Sequence, residues 1–202
     1  MPLDKTINII VSGVGGQGLI TLGNVLGTAA ILKGIKAFIS EVHGLAQRGG
    51  SVIVHIRIGN PNSPLVPENG ADVILALEVL EALRAINIYA NLNTLIIINK
   101  RLIRPAIPEL KLLPLEEYIS HIKKLGLRVI EVSALDLASK AGNILSENMV
   151  MIGALMASGV LNGLLELVDI EKAIREVMPK KWIDVNIRAL RMGFEEVVKL
   201  RH

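Results

Sequence analysis

The chain has 202 residues, 51% of them apolar, which is ample for a full core and excludes a disordered chain. Only 2% are aromatic, so Ile, Val, Leu, Ala and Met must fill that core, and few rings remain on which the bases of a single-stranded nucleic acid could stack. The net charge of +3 is spread along the chain and reads as a solvated surface, while the absence of cysteine excludes disulfides, thiolate nucleophiles and cysteine-ligated iron–sulfur clusters within this polypeptide.

MPLDKT leads straight into the apolar run Ile7–Ser12, which is expected as a first strand rather than as part of a leader, and the expected location is the cytoplasm. GVGGQG follows, then a helical pattern from Leu19 to Lys33 and a second strand over Ala37–Glu41. Ser51–Ile58 alternates, with Val52, Val54, Ile56 and Ile58 on one face and Ser51, Ile53, His55 and Arg57 on the other, so it predicts a half-buried strand. The three prolines of Asn60–Gly70 predict an irregular loop. A strand over Asp72–Ala76, a helix over Glu78–Tyr89 and a strand over Thr94–Asn99 come next; the proline-spaced stretch after Arg104 reads as a connection, ahead of a last strand at Leu127–Val132.

Helices are expected from there on, at Ala134–Lys140, Ile170–Val177 and Val185–Leu200. Between the first two lies Met149–Leu165, MVMIGALMASGVLNGLL, an uncharged stretch that approaches the length of a membrane span. Its glycines, serine and asparagine and its closely flanking charges favour a helix buried between layers or under another subunit. Strands alternating with helices imply one domain over residues 1–202, a three-layer α/β/α fold with a largely parallel sheet and a helical C-terminal end.

GVGGQG fits G-x-G-x-x-G through Gly13, Gly15 and Gly18, with Gly16 and Gln17 between, and it sits between a predicted strand and a predicted helix. Such a turn lets the backbone approach a phosphate or other anion at a helix start. It equally permits close strand–helix packing, and the pattern alone leaves both readings open. Glu41 falls at about the distance at which a carboxylate holds a ribose hydroxyl in dinucleotide-binding folds, so a nicotinamide-linked dehydrogenase is one alternative.

A second polar cluster follows in EVHGLAQRGG. No cysteine or serine-elbow motif supplies a nucleophile for His43 or His55, and these two, twelve residues apart, have no further ligand spacing that suggests zinc. Glu41, His43, Gln47 and Arg48 read better as a polar turn at the carboxyl edge of the sheet, with Gly49 and Gly50 reversing the chain. Arg48 is the charged residue best suited to clamp a carboxylate or phosphate. The plain alternative is a surface ion pair with Glu41, worth at most about 1 kcal/mol.

SGVGGQG, EVHGLAQRGGSV, the proline loop ending in ADVILALE and ENMVMIGAL together resemble the beta-type subunits of indolepyruvate:ferredoxin oxidoreductases, over nearly the whole chain. GVGGQG and Arg48-Gly49-Gly50 are shared with the gamma-type subunits of the wider 2-oxoacid:ferredoxin oxidoreductases. HGLAQRGG is narrower, with His43, Gly44 and Gln47 where other members tend to carry a Tyr-Gly-Pro-Glu type of sequence. The resemblance implies a hetero-oligomer with a larger cysteine-rich alpha-type subunit that holds thiamine diphosphate and 4Fe–4S clusters, decarboxylates an aryl 2-oxoacid, forms an acyl-CoA and reduces ferredoxin. It implies no metal or cofactor on this chain alone, no catalytic residue of its own, and neither nucleic acid nor membrane as partner. Coenzyme A is the implied co-substrate, and the implied substrate- or CoA-site or interface residues are Gly13, Gly15, Gly16, Gln17, Gly18, Glu41, His43, Gln47, Arg48, Gly49 and Gly50. A purely structural subunit is the remaining alternative.

Overall fold

A computed structural model of the chain describes residues 5–43, 50–105 and 109–200. The elements run β1 (Ile7–Val14), α1 (Leu19–Leu32), β2 (Lys36–His43), β3 (Ser51–Gly59), β4 (Val73–Ala76), α2 (Val79–Tyr89), β5 (Leu95–Asn99), α3 (Leu115–Lys124), β6 (Arg128–Val132), α4 (Ala134–Ala141), α5 (Glu147–Ala157), α6 (Leu167–Val177) and α7 (Ile183–Lys199). One sheet has the order β2-β3-β1-β4-β5-β6.

β1, β4, β5 and β6 pair in parallel, and β3 pairs antiparallel with both β1 and β2. β3 is therefore the one strand that runs against the rest, inserted between β2 and β1 by a hairpin. Its period-two alternation is the mark of an antiparallel strand, and the largely parallel sheet expected from the sequence acquires this exception.

The pleat sends alternate residues to two cores. Ile9, Val11, Val73, Leu75 and Ile97 join a large core with residues of α1, α4, α5, α6 and α7, and Ile10, Ile74, Ile96 and Ile98 join a smaller one with residues of α2 and α3. The three layers are thus unequal. Two-sided burial explains why β4 and β5 read as unbroken apolar runs.

α3 corrects the expectation of a plain connection after Arg104. Leu115, Ile119 and Ile122 recur at helical spacing, Glu116 and Glu117 occupy the first turn, and His121, Lys123 and Lys124 the last, so dipole-matched charges support the helix. The apolar stretch from Met149 forms α5 only as far as Ala157, with every residue of that helix buried. Among the described residues no helix is long and apolar enough to cross a membrane.

α5 packs on α7 through two glycines. A Cβ on Gly153 would lie 2.0 Å from the Leu190 carbonyl oxygen, and one on Gly193 would lie 2.0 Å from that of Val150. Backbone meets backbone at this crossing, and only hydrogen fits between them.

Candidate functional site

α1 follows β1 on the face of the larger core, α2 follows β4 on the other, and β1 and β4 are neighbours. The chain therefore leaves adjacent strands in opposite directions, which opens a crevice at their carboxyl ends, the usual ligand position in open α/β sheets.

The glycine turn occupies that position. Gly16 and Gly18 have φ of 103° and 75°, a left-handed conformation that strains any residue with a Cβ. Gln17 locks the turn by accepting the Val14 N–H at 2.8 Å and donating from Nε2 to the Leu77 carbonyl at 2.9 Å, so it ties β1 to the end of β4. The Gly15 N–H donates to the Gly50 carbonyl at 2.9 Å, which joins the turn to the start of β3.

The glycines serve different ends. A Cβ on Gly13 would come 2.8 Å from Gln17 Oε1, and one on Gly18 would come 2.5 Å from Asn148 Nδ2, so both positions are closed by packing. Nothing lies within 4 Å of the same atom on Gly16. Gly16 presents bare backbone to open space.

That space is a cleft of about 650 Å³, walled by Val14–Gly18 and Thr21 on one side, Arg101 and Ile103 beyond β5, and residues 143–148 with Trp182 and Asn186 on the other. No side chain caps the start of α1 and its first turn holds no acid, so its N–H groups and helix dipole face the cleft uncompensated by carboxylate. Asn148 Nδ2 donates to the Gly18 carbonyl at 3.1 Å and couples the start of α5 to the turn.

A buried polar network holds the opposite wall. Glu147 accepts from Asn99 Nδ2 at 2.9 Å through one oxygen and from Arg101 through the other. Asn99 also accepts the Ala134 N–H at 3.0 Å. The Glu78 carboxylate accepts the N–H groups of Leu80, Glu81 and Ile103, at 2.8, 2.9 and 3.1 Å, and so fixes the chain that carries Arg101. Burial pushes the Glu78 carboxyl above its ordinary range, and those three donors pull it back.

The family description pyruvate ferredoxin/flavodoxin oxidoreductase matches residues 8–196. The chain belongs to that family. It is 43% identical over 198 residues to the indolepyruvate oxidoreductase subunit IorB of Archaeoglobus fulgidus, covering 96% of this chain and 97% of the relative. A second relative, the subunit of the same name from Methanothermobacter thermautotrophicus, is 42% identical, covering 93% of this chain and 95% of that one. Among solved structures, a pyruvate oxidoreductase subunit of Thermotoga maritima superposes with a TM-score of 0.71 at 26% identity, covering 95% of this chain and 97% of the other.

In this family member, the residues singled out from the sequence fall into three groups. Gly13, Gly15, Gly16, Gln17 and Gly18 form the turn, with Gly15 to Gly18 on the cleft wall and Gly50 hydrogen-bonded to it. Glu41 and His43 lie on β2, where their Cα partners are Val54 and Val52 of β3. Gln47, Arg48 and Gly49, with Gly44, lie outside the described residues.

Glu41 does not take the position a ribose-binding carboxylate needs. Val54, its partner, pairs in turn with Val11, so Glu41 is exposed, level with the middle of β1 and two strands away. Two strand spacings are about 10 Å. In a dinucleotide fold the second strand would lie directly beside the first, and the inserted β3 prevents that here.

His55 is 2% exposed despite its place on the polar side of the alternation. Its Nδ1 accepts the Val66 N–H at 3.1 Å and its ring meets Tyr89 edge-on at 5.3 Å. Burial pushes the imidazole below its ordinary value, which fits a neutral ring that pins the proline loop to the sheet. The cleft residues Arg101, Ser146, Glu147 and Asn148, and the buried Asn99 that holds Glu147, were not singled out from the sequence. ENMVMIGAL contains two of them, and the signal within it was a charged and an amide residue opening an otherwise apolar helix.

Proposed function

We propose that the chain, acting as one domain over residues 1–202, is the beta-type subunit of a heteromeric indolepyruvate:ferredoxin oxidoreductase. The reaction decarboxylates an aryl 2-oxoacid, oxidises its acyl carbon by two electrons, joins the acyl group to the thiol of coenzyme A and passes the electrons singly to ferredoxin. The observation that carries this reading is the full-length identity of 43% and 42% to two archaeal IorB subunits, against 26% to a pyruvate oxidoreductase subunit of the same fold.

In this reading the redox chemistry belongs to the partner. A chain without cysteine offers no ligand to a 4Fe–4S cluster, and among the described residues no group of three or more His, Asp or Glu could hold a metal ion. Thiamine diphosphate and the clusters are assigned to a larger cysteine-rich alpha-type subunit in the cytoplasm. The exposed apolar residues Ile144, Leu145 and Trp182 on the cleft supply a surface for such a subunit to cover.

This chain contributes the wall that faces substrate or coenzyme A. Gly13, Gly15, Gly16, Gln17 and Gly18 shape it, and Glu41, His43, Gln47, Arg48, Gly49 and Gly50 are assigned to the same substrate, coenzyme A or subunit interface from the sequence. The test is co-expression with the larger subunit, followed by ferredoxin reduction with indolepyruvate, pyruvate or 2-oxoglutarate in the presence of coenzyme A. Preference for indolepyruvate by an assembled complex is the expected result. Turnover of pyruvate or 2-oxoglutarate instead would make the chain a gamma-type subunit of another member. Tight nicotinamide nucleotide binding by the isolated chain would revive the dehydrogenase.

A further inference from the structure

Two side chains on the cleft wall opposite the glycine turn have donors that the described residues leave without a partner. Arg101 is held to Glu147 through one terminal nitrogen, and its side chain is 33% exposed where it lines the cleft. Among the described residues its guanidinium makes no other hydrogen bond, so Nε and the second terminal nitrogen remain to donate. Ser146 also lines the cleft, is 1% exposed, and its Oγ has no hydrogen-bond partner among the described residues.

A buried hydroxyl without a partner is costly, and a half-used guanidinium held to the next residue in the chain is a strong donor. Glu147 offsets the charge of Arg101 through one terminal nitrogen only, while its other oxygen accepts from Asn99 Nδ2. That arrangement orients the guanidinium as well as neutralising one side of it. The planar fork that is left matches two oxygens of one anionic group.

We propose that Arg101 and Ser146 form an oxyanion-binding subsite of the cleft, with Glu147 as the residue that positions the guanidinium. The ligand is a carboxylate or a phosphate ester. Within the subunit reading above, on which this inference rests for its assay, the two sources are the 2-oxoacid carboxylate and the phosphates of coenzyme A. Ser146 donates its hydroxyl to the anion and thereby acquires the partner that the chain itself does not supply.

The experiment measures equilibrium binding of coenzyme A, an aryl 2-oxoacid and inorganic diphosphate to the full chain, alone and assembled with its partner, for the natural protein, Ser146→Ala and Arg101→Lys. Each variant is expected to weaken binding of the responsible ligand about tenfold or more, the scale of a charge-assisted hydrogen bond. Ser146→Ala is expected to keep or raise the melting temperature, because its hydroxyl has no partner in the protein; a purely structural serine would show the opposite. Arg101→Lys keeps the charge opposite Glu147, so a loss confined to affinity and KM identifies the fork. Weakening limited to coenzyme A and diphosphate assigns the subsite to phosphate, and weakening limited to the 2-oxoacid assigns it to carboxylate. Unchanged binding of all three ligands in both variants, or no binding to the natural protein in either form, overturns the proposal. A complex that binds these ligands but does not oxidise an aryl 2-oxoacid would overturn the subunit reading, and the subsite would still be judged by the binding data.

Discussion

Two places in this chain depend on glycine, the crossing of α5 and α7 and the turn before α1, and they differ in what they exclude. At the crossing of α5 and α7, Gly153 and Gly193 each face a backbone carbonyl of the partner helix. In the turn before α1, Gly18 faces the amide of Asn148, and Gly16 faces nothing. The crossing needs absent side chains because helices touch there. The turn needs glycine for its left-handed φ, and only some of its positions are crowded.

The helix crossing is where a single methyl group should do the most damage. Gly153→Ala should cost about 3 kcal/mol, the upper end of overpacking penalties, because the carbonyl it meets is backbone and neither helix can yield without shifting. Melting of the purified chain should fall by roughly 10 °C, at 2–4 °C per kcal/mol for a chain of this size. Turnover per assembled complex should be nearly unchanged. A melting temperature within a degree or two of the natural protein would mean that the helices separate easily.

Gly18→Ala comes next, at about 2 kcal/mol, from left-handed strain and displacement of the Asn148 amide. Pairing it with Asn148→Ala separates the two causes: the double variant should relieve the clash and keep the strain. Full additivity of the two single losses in a chemical denaturation cycle would show that the clash is not the cause.

His55 tests a buried polar group on the other side of the sheet, where shape matters less than charge. Its folded-state pKa lies below the unfolded value of about 6.5, so folding favours the neutral ring. The unfolded chain binds the extra proton between those two values, and stability therefore falls as pH drops from about 6.5 through the folded pKa, while it is fully present above. Thermal melts across that range should show the decline, and His55→Phe should flatten it. An unaltered slope in the variant would remove His55 as its origin.

The smallest stability effect belongs to Gly16→Ala, about 1 kcal/mol of conformational strain, because the added methyl group enters open space and displaces no neighbour. If ligand approaches this backbone, turnover should drop by a larger factor than the melt accounts for. Parallel losses would instead leave Gly16 as a conformational requirement only.

Sequence periodicity located the strands because β4 and β5 are apolar without interruption and β3 alternates. It located the glycine turn because the required residues are contiguous. The order of the strands was not legible in the same way: nothing local to Ser51–Gly59 says that it inserts beside β1, although its alternation is what an antiparallel strand requires. α3 was masked by the prolines before it, since Pro105, Pro108 and Pro114 outweighed a helical pattern of only three apolar residues. The far wall of the cleft comes from segments after β5 and before α5, far apart in the chain, and no local motif joins Asn99 and Arg101 to Glu147. Their relation is created by the sheet, which brings its carboxyl ends to one edge.

The insertion of β3 has a consequence for how such a protein can change. Both ends of the connection between β2 and β3 are anchored at one edge, where His43 pairs with Val52 and Val14 with Ser51. Doubling the length of a hairpin loop adds only about 0.6 kcal/mol of closure entropy. The register of β2 on β3 and of β3 on β1 is therefore set by the pairing itself and depends little on how many residues join the strands. A parallel neighbour would have needed a crossover connection whose length must match the span it bridges. The antiparallel insertion frees the strand register from that constraint.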